Sequence, residues 1–212
     1  MRYDPKKHHR RSIRLKGYDY SQAGAYFVTI CTQDRACLFG EVVDGEMRLN
    51  DVGRMVVAEW ERLPERFPDV ALDAFVVMPN HIHGIIVITH PDRVGAGLVP
   101  AQEGDHEGRP YDTDPDRTTG TGATTRVAPT VGDVVSAFKS SVTVEYARGV
   151  KTFGWLPFRR RLWQRNYYEH IIRSEDSLNR IRQYIVENPA RWVFDRENLL
   201  ALAPEREDAW AL

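Results

Sequence analysis

Within this 212-residue chain, the stretch Met78-Pro79-Asn80-His81-Ile82-His83-Gly84-Ile85-Ile86-Val87-Ile88 decides the architecture. Ile and Val suit a pleated, half-buried surface, so the run predicts a strand entered through a Pro-Asn turn. Residues two apart on a strand share a face. His81 and His83 then stand side by side while Ile82 turns to the opposite face. Two neutral imidazoles at that spacing can hold one divalent metal and leave positions open for a substrate oxygen. Two polar residues on the solvated face of an ordinary strand fit the same spacing. The apolar strand and the turn before it favour a site.

Upstream, Ala25-Tyr26-Phe27-Val28-Thr29-Ile30-Cys31-Thr32 reads as a buried strand. Leu38 to Leu49 contains Asp44-Gly45, a hairpin signal. Asn50 or Asp51 can cap a helix over roughly residues 52–66, where Val52, Met55, Val56, Glu59, Trp60 and Leu63 give a helical period. Leu72 to Met78 is the strand before the histidines. Downstream, residues 90–129 lose all apolar period and are rich in Gly, Pro, Asp and Thr, which predicts a mobile insertion. From Thr130, Val131, Val134, Val135, Phe138 and Val142 recur at helical spacing. Trp163 to Ile172 reads as a short strand. Ser174 can cap a last helix ending near Asn188, because Pro189 disfavours helical dihedrals before it. Strands interleaved with three helices and paired antiparallel predict an α+β sandwich. The expected layout is a basic arm over 1–22, one domain over 23–192 and a tail over 193–212.

Hydrophobic residues make up 42% of the chain and the mean hydropathy is −0.47, which fits a soluble globular protein. No run approaches the roughly 18 apolar residues of a membrane span, and the basic, polar N-terminus lacks a signal-peptide core. Cys31 and Cys37 fit a reducing cytosol, where we expect the protein; their spacing is not that of a zinc finger, and both read as packing residues.

The net charge of −1 conceals segregation. Residues 1–20 carry Arg2, Lys6, Lys7, Arg10, Arg11, Arg14 and Lys16 against Asp4 and Asp19, a net +5. Arg159-Arg160-Arg161, followed by Arg165, forms a second basic knot. Acidic residues gather between Glu103 and Asp116 and in the C-terminal tail. Local positive surface on a neutral chain is the footprint of phosphate binding. A solvated tail and an ordinary charged turn would look the same in sequence.

On the last helix, Leu178, Ile181 and Ile185 form the core stripe. Tyr184 lies roughly 90° from its centre, at the border of the core, and shares a face with Asn188 four residues on. From position alone Tyr184 reads as a packing residue with its hydroxyl in water.

Five stretches together give a resemblance: Ser12 to Tyr20, Ala25 to Thr32, Val77 to His83, Trp163 to Arg173, and Tyr184-Ile185-Val186-Glu187-Asn188-Pro189. Their order and spacing resemble the single-tyrosine HUH transposases (the insertion-sequence 200-like family), most closely the branch of REP-associated tyrosine transposases. The likeness runs from about residue 10 to residue 192 apart from the insertion. It implies a ferredoxin-like α+β domain, a central antiparallel sheet with flanking helices. It implies His81 and His83 as the metal pair, Tyr184 as nucleophile and Asn188 as the residue completing metal coordination. Many insertion-sequence members carry Gln at that place, so Asn188 departs from them, while the palindrome-associated branch commonly has Asn. The insertion is longer than a minimal family core.

The implied activity is metal-dependent cleavage and rejoining of single-stranded DNA, at hairpin-forming repeats, through a covalent phosphotyrosine. The cofactor would be Mg²⁺ or Mn²⁺, with imidazole ligands suiting Mn²⁺ at least as well. The partner would be DNA held by Lys6, Lys7, Arg10, Arg11, Arg14, Lys16, Arg159, Arg160, Arg161 and Arg165, with no membrane and the protein a monomer or homodimer. Three alternatives stand beside this one. A replication initiator or relaxase shares the chemistry, but such enzymes usually carry further elements, and no Walker-A loop is present. A DNA-binding protein without transposition activity is disfavoured by the intact His81, His83 and Tyr184. A zinc hydrolase needs a third strong ligand, for which only His90 or His170 offers itself. Tyr146, Tyr167 and Tyr168 are the rival nucleophiles.

Overall fold

The computed structural model describes residues 19–89 and 129–201. The elements are β1 (Gly24–Cys31), the hairpin β2 (Gly40–Val43) and β3 (Glu46–Leu49), and the helices α1 (Asp51–Glu61) and α2 (Leu63–Arg66). Next come β4 (Val70–Val77), β5 (His81–Ile88), α3 (Val131–Phe153), β6 (Tyr168–Ile172) and α4 (Glu175–Glu187), then a 3-10 turn over Pro189–Phe194. Four strands form one sheet in the order β4-β5-β1-β6, every pair antiparallel. Leaving out the hairpin and α2, the succession β1-α1-β4-β5-α3-β6 and this strand order are those of a ferredoxin-like sandwich, with α4 added.

The sheet is covered on both faces, which explains why β1 is buried along almost its whole length. Tyr26, Val28 and Ile30 of β1 and Ile82, Ile86 and Ile88 of β5 meet Val56 and Trp60 of α1 and Val134, Val135, Phe138 and Val142 of α3. Ala25, Phe27 and Ile85 point the other way, under Leu178, Ile181 and Ile185 of α4. His81 and His83, alternating with Ile82, belong to this second face. Gly84 is required where it stands. A Cβ there would lie 2.5 Å from the Trp60 ring, which stacks on Phe75 with centroids 4.6 Å apart.

Local signals account for the boundaries. The Asn50 side chain accepts from Gly53 N (2.9 Å) and starts α1. Thr130 and Asp133 form a capping box at α3, and the Ser174 hydroxyl accepts from Ser177 N at α4. Asp44 and Gly45 turn the hairpin with φ of 53° and 79°, as a two-residue turn demands.

Two expectations are corrected in detail. The helix expected over 52–66 is two helices meeting at Arg62, with Pro64 in the first turn of α2, where its missing N–H costs nothing. The strand expected from Trp163 begins only at Tyr168. Trp163 makes a single bridge to Thr32, and the Lys139 ammonium draws the carbonyls of Gln164 (2.9 Å) and Asn166 (3.2 Å) toward α3. The cationic arm up to Lys16 and residues 90–128 of the expected insertion lie outside the described residues. No helix among the described residues is long and apolar enough to cross a membrane.

Candidate metal centre

Strand pairing sets the site. His81 lies opposite Cys31, and His83 lies between Thr29 on β1 and Val76 on β4. A solvated strand face stood in the sequence as the alternative for both imidazoles. Instead they are buried, at 0% and 4% exposure, because α4 and the segment after it close over this face. Their Nε2 atoms converge to 3.0 Å. The third member of the cluster is Asp195, which the sequence reading missed. One ligand atom from each of His81, His83 and Asp195 falls within 4.8 Å of the others, and Asp195 Oδ2 is 3.5 Å from His81 Nε2.

Hydrogen bonds fix the tautomer of His81. Asn80 Nδ2 donates to the carbonyls of Arg35 (3.2 Å) and Glu197 (2.7 Å), so Asn80 Oδ1 faces His81 Nδ1 at 2.8 Å. That oxygen only accepts, so His81 Nδ1 carries the proton and its Nε2 is a bare lone pair. His83 Nδ1 meets Thr29 Oγ1 at 2.9 Å, and a hydroxyl can donate or accept. With Thr29 donating, His83 Nε2–H can donate to His81. With Thr29 accepting, both Nε2 atoms present lone pairs to one point, as two metal ligands must. The Thr29 hydroxyl can thus pair with either tautomer of His83.

Burial dominates the electrostatics. It pushes the pKa of His81 down to about 4, with Glu197 opposing it, and that of His83 down to about 3, assisted by His81. Both rings are neutral at pH 7 and free to coordinate. Burial lifts the Asp195 carboxyl, with His83 pulling the other way. For Glu197 burial also pushes up, but Arg35 and smaller contributions from His81 and Cys31 hold the carboxyl below its ordinary range. Arg35 Nε donates to Glu197 Oε2 at 2.7 Å, Cys31 Sγ to the same oxygen at 3.4 Å, and Glu197 N to Asp195 Oδ1 at 2.6 Å. Glu197 anchors the segment that delivers Asp195. Burial and Glu197 raise the Cys31 thiol, so it stays protonated and is a donor here.

The donor set fits a divalent cation. Asp195 Oδ2 is buried without a hydrogen-bond partner, and so is Oδ1 of Asn188, which is 2% exposed at the end of α4. Buried acceptors left unpaired are costly, and a cation at the His81, His83 and Asp195 cluster would offset that cost for Asp195.

Tyr184 sits half-buried on α4, its ring 5.2 Å from that of His83 and 6.2 Å from Phe27, with the Arg191 guanidinium 5.9 Å from its centroid. Trp192, in the 3-10 turn, lies 6.1 Å from His81. Among the rivals, Tyr168 shares this face of the sheet and packs edge-on against Phe27, while Tyr167 lies under Lys139 and Tyr146 donates its hydroxyl to Leu156 O. His170 pairs with Phe27 on β6, outside the cluster, and His90 lies outside the described residues. Arg159, Arg160, Arg161 and Arg165 are exposed. Lys6, Lys7, Arg10, Arg11, Arg14 and Lys16 precede the described residues.

No family model matches the chain. Among solved structures it is similar to a REP-associated tyrosine transposase bound to a REP hairpin, at 18% identity and a TM-score of 0.48, over 85% of this chain and 74% of the other. It is also similar to a candidate transposase from Deinococcus radiodurans, at 18% identity and a TM-score of 0.40, over 84% and 98%. In sequence it is 40% identical over 203 residues to an uncharacterized protein of Haemophilus influenzae, spanning 92% of this chain and 96% of that one. At that identity and coverage, the chain belongs to the same family as the Haemophilus influenzae protein.

Proposed function

We propose that this protein cleaves and rejoins single-stranded DNA, at hairpin-forming repeats, by a metal-dependent reaction through a covalent phosphotyrosine. The observation that carries the proposal is the Tyr184 ring packed 5.2 Å from His83, whose Nε2 converges on that of His81 beside the unpaired Asp195 Oδ2. His81, His83 and Asp195 would hold the ion, with Asn188 as a further oxygen ligand. A bound divalent cation would act as a Lewis acid on the scissile phosphate. Imidazole with carboxylate and amide oxygens suits Mn²⁺ at least as well as Mg²⁺.

The chain's own groups supply the rest. Tyr184 is the nucleophile: an O–P bond to its phenol oxygen forms, the bond to one sugar oxygen breaks, the phenol proton is lost and the departing oxygen gains one. The phosphodiester energy is kept in the phosphotyrosine, so the reverse step rejoins DNA without ATP. Arg191, its guanidinium 5.9 Å from the ring centroid, favours loss of the phenol proton before attack. Tyr184 and Asn188 on one helix hold nucleophile and ligand in fixed relation.

The test is Tyr184→Phe against a labelled hairpin oligonucleotide with Mn²⁺. The ring stays, so folding and hairpin binding stay near wild type, while cleavage and the covalent adduct vanish. An adduct that persists in the Phe variant contradicts the assignment, and mass spectrometry of the linked peptide then locates the nucleophile, with Tyr168 the next candidate. A wild type that binds hairpins but never cleaves points to the DNA-binding alternative.

A further inference from the structure

Between Tyr146 and Tyr168 the chain carries Arg148, Lys151, Arg159, Arg160, Arg161 and Arg165 and no acidic residue, interleaved with Phe153, Trp155, Phe158 and Trp163. The structure gives these aromatics an order. Tyr146, buried in the core, meets Phe158 edge-on at 5.4 Å and Trp155 edge-on at 5.6 Å. Trp155 is seated against Gly149, where an added Cβ would lie 2.2 Å from the indole. Phe153, the last residue of α3, lies 5.9 Å from Trp155 and is 70% exposed, with Leu156 beside it in sequence at 81%. Gly154 ends the helix in the left-handed region (φ 69°) and frees the Phe153 ring from a further turn. The series of rings therefore begins in the core and ends in solvent.

The arginine turn follows. Arg160 sits at its tip with φ of 61°, a conformation unfavourable for a side chain with a Cβ. Among the described residues, Arg159, Arg160 and Arg161 have no carboxylate partner. The turn abuts the end of the sheet that carries His81. Leu162 O accepts from Gln33 N at 2.8 Å, and Trp163 bridges Thr32, one residue past the partner of His81.

We propose that Phe153 and the turn Arg159–Arg161 form a second nucleic-acid subsite, in which an unpaired base of single-stranded DNA stacks on Phe153 while the arginines take neighbouring phosphates. Every base has a π face, so such a platform selects unpaired strands without reading sequence. The exposed ring belongs to a fixed aromatic series, and the segment that carries it and the turn has only basic charges, of which Arg148 pairs with Glu145 while Arg159, Arg160 and Arg161 remain to complement phosphate. The subsite rests on the reading of single-stranded DNA as substrate.

The test measures fluorescence anisotropy of the full chain, in EDTA, with a labelled oligothymidylate and with an abasic oligonucleotide of equal length. Wild type binds the base-bearing strand more tightly. Phe153→Ala weakens that binding about tenfold or more and leaves abasic binding unchanged, and Phe153→Trp restores it. Replacing all three arginines by Ala weakens both strands and lowers the salt slope by about 0.7 for each phosphate no longer neutralised. Wild-type affinity in Phe153→Ala, or an equal loss on both strands, overturns the subsite. So does a change in mass by light scattering with DNA affinity intact, which would mark an interface between copies of the chain. Because no metal is present, the outcome is independent of cleavage. A protein that stacks DNA on Phe153 but never cleaves contradicts the proposed function alone, and one that cleaves with Phe153→Ala binding normally contradicts the subsite alone.

Discussion

The face of the sheet under α1 and α3 and the face under α4 differ in what they bury. On the first, Tyr26, Val28, Ile30, Ile82 and Ile86 meet Trp60, Phe138 and Val142 in a core dominated by hydrocarbon and aromatic surface. On the second, Ala25, Phe27, Ile85, Leu178, Ile181 and Ile185 make a smaller apolar cluster. Beside it the same strands bury Thr29, His81 and His83, with Asp195 against His81 and with Asn188 buried at the end of α4. Burial on the first face stabilises in proportion to apolar area. On the second it gathers acceptors that stay unpaired in the free protein, which costs stability unless something binds there. Folding stability and site chemistry are divided between two sides of one sheet four strands wide, and Ile82 faces the first side while His81 and His83 on either side of it face the second.

The largest expected contrast is between Trp60→Ala and Asp195→Asn. Removing the Trp60 ring opens a cavity against Gly84, Phe75 and Phe138 and should cost about 3–5 kcal/mol in urea unfolding. Asp195→Asn keeps the shape and removes a buried carboxyl, so the metal-free protein should lose nothing measurable or gain stability. A large loss in Asp195→Asn would mean that the α4 face is ordinary core. Next in size is the linkage to metal. Mn²⁺ at about 100 times its Kd should stabilise wild type by about 2.7 kcal/mol and Asp195→Asn by much less. Equal shifts would remove Asp195 from the ligand set.

Acid should weaken the second face selectively. His81 and His83 have folded pKa values of about 4 and about 3, below the 6.5 of the unfolded chain, so the folded state binds fewer protons. Their contribution is therefore complete above pH 6.5 and is lost as pH falls toward 4, by about 1.4 kcal/mol per pH unit for each histidine. Thermal melts of metal-free protein between pH 7.5 and 5 should show this fall, and the His81→Ala/His83→Ala double variant should keep only the smaller part carried by His170, whose pKa burial also lowers to about 4. A wild-type slope in that variant would place the titrating groups elsewhere. The smallest effect concerns Arg182, which holds α4 to β4 through Asp73 with bonds of 2.9 and 2.7 Å. The pair is partly exposed, so Arg182→Gln should cost only about 0.5–1 kcal/mol. It should nevertheless slow cleavage, because α4 carries Tyr184 and Asn188. Unchanged cleavage would show that the helix is held by its apolar face alone.

The sequence was most legible where a signal is local. Asn50, Thr130 and Ser174 stand at helix starts, Asp44-Gly45 turns a hairpin, and alternation around Ile82 puts the two histidines on one face. It was less legible where partners are remote. Asp195-Arg196-Glu197 looks like any solvated charged tail, since nothing in its period shows that a 3-10 turn from Pro189 folds it onto the histidines. The burial of His81 and His83 was hidden for a related reason. A strand covered on both faces reads as one apolar run, and the residues that cover the histidines lie more than a hundred positions away. The seat of Trp60 on Gly84 was invisible for the same reason, although the glycine itself could be seen.

The claim that the α4 face is a metal site is tested most directly by calorimetric titration of the metal-free chain with Mn²⁺. One ion should bind per wild-type chain, and none should bind to the His81→Ala/His83→Ala variant while its circular dichroism remains that of a folded protein. Binding of Mn²⁺ to that folded variant with wild-type affinity, or no binding to wild type, would contradict the claim.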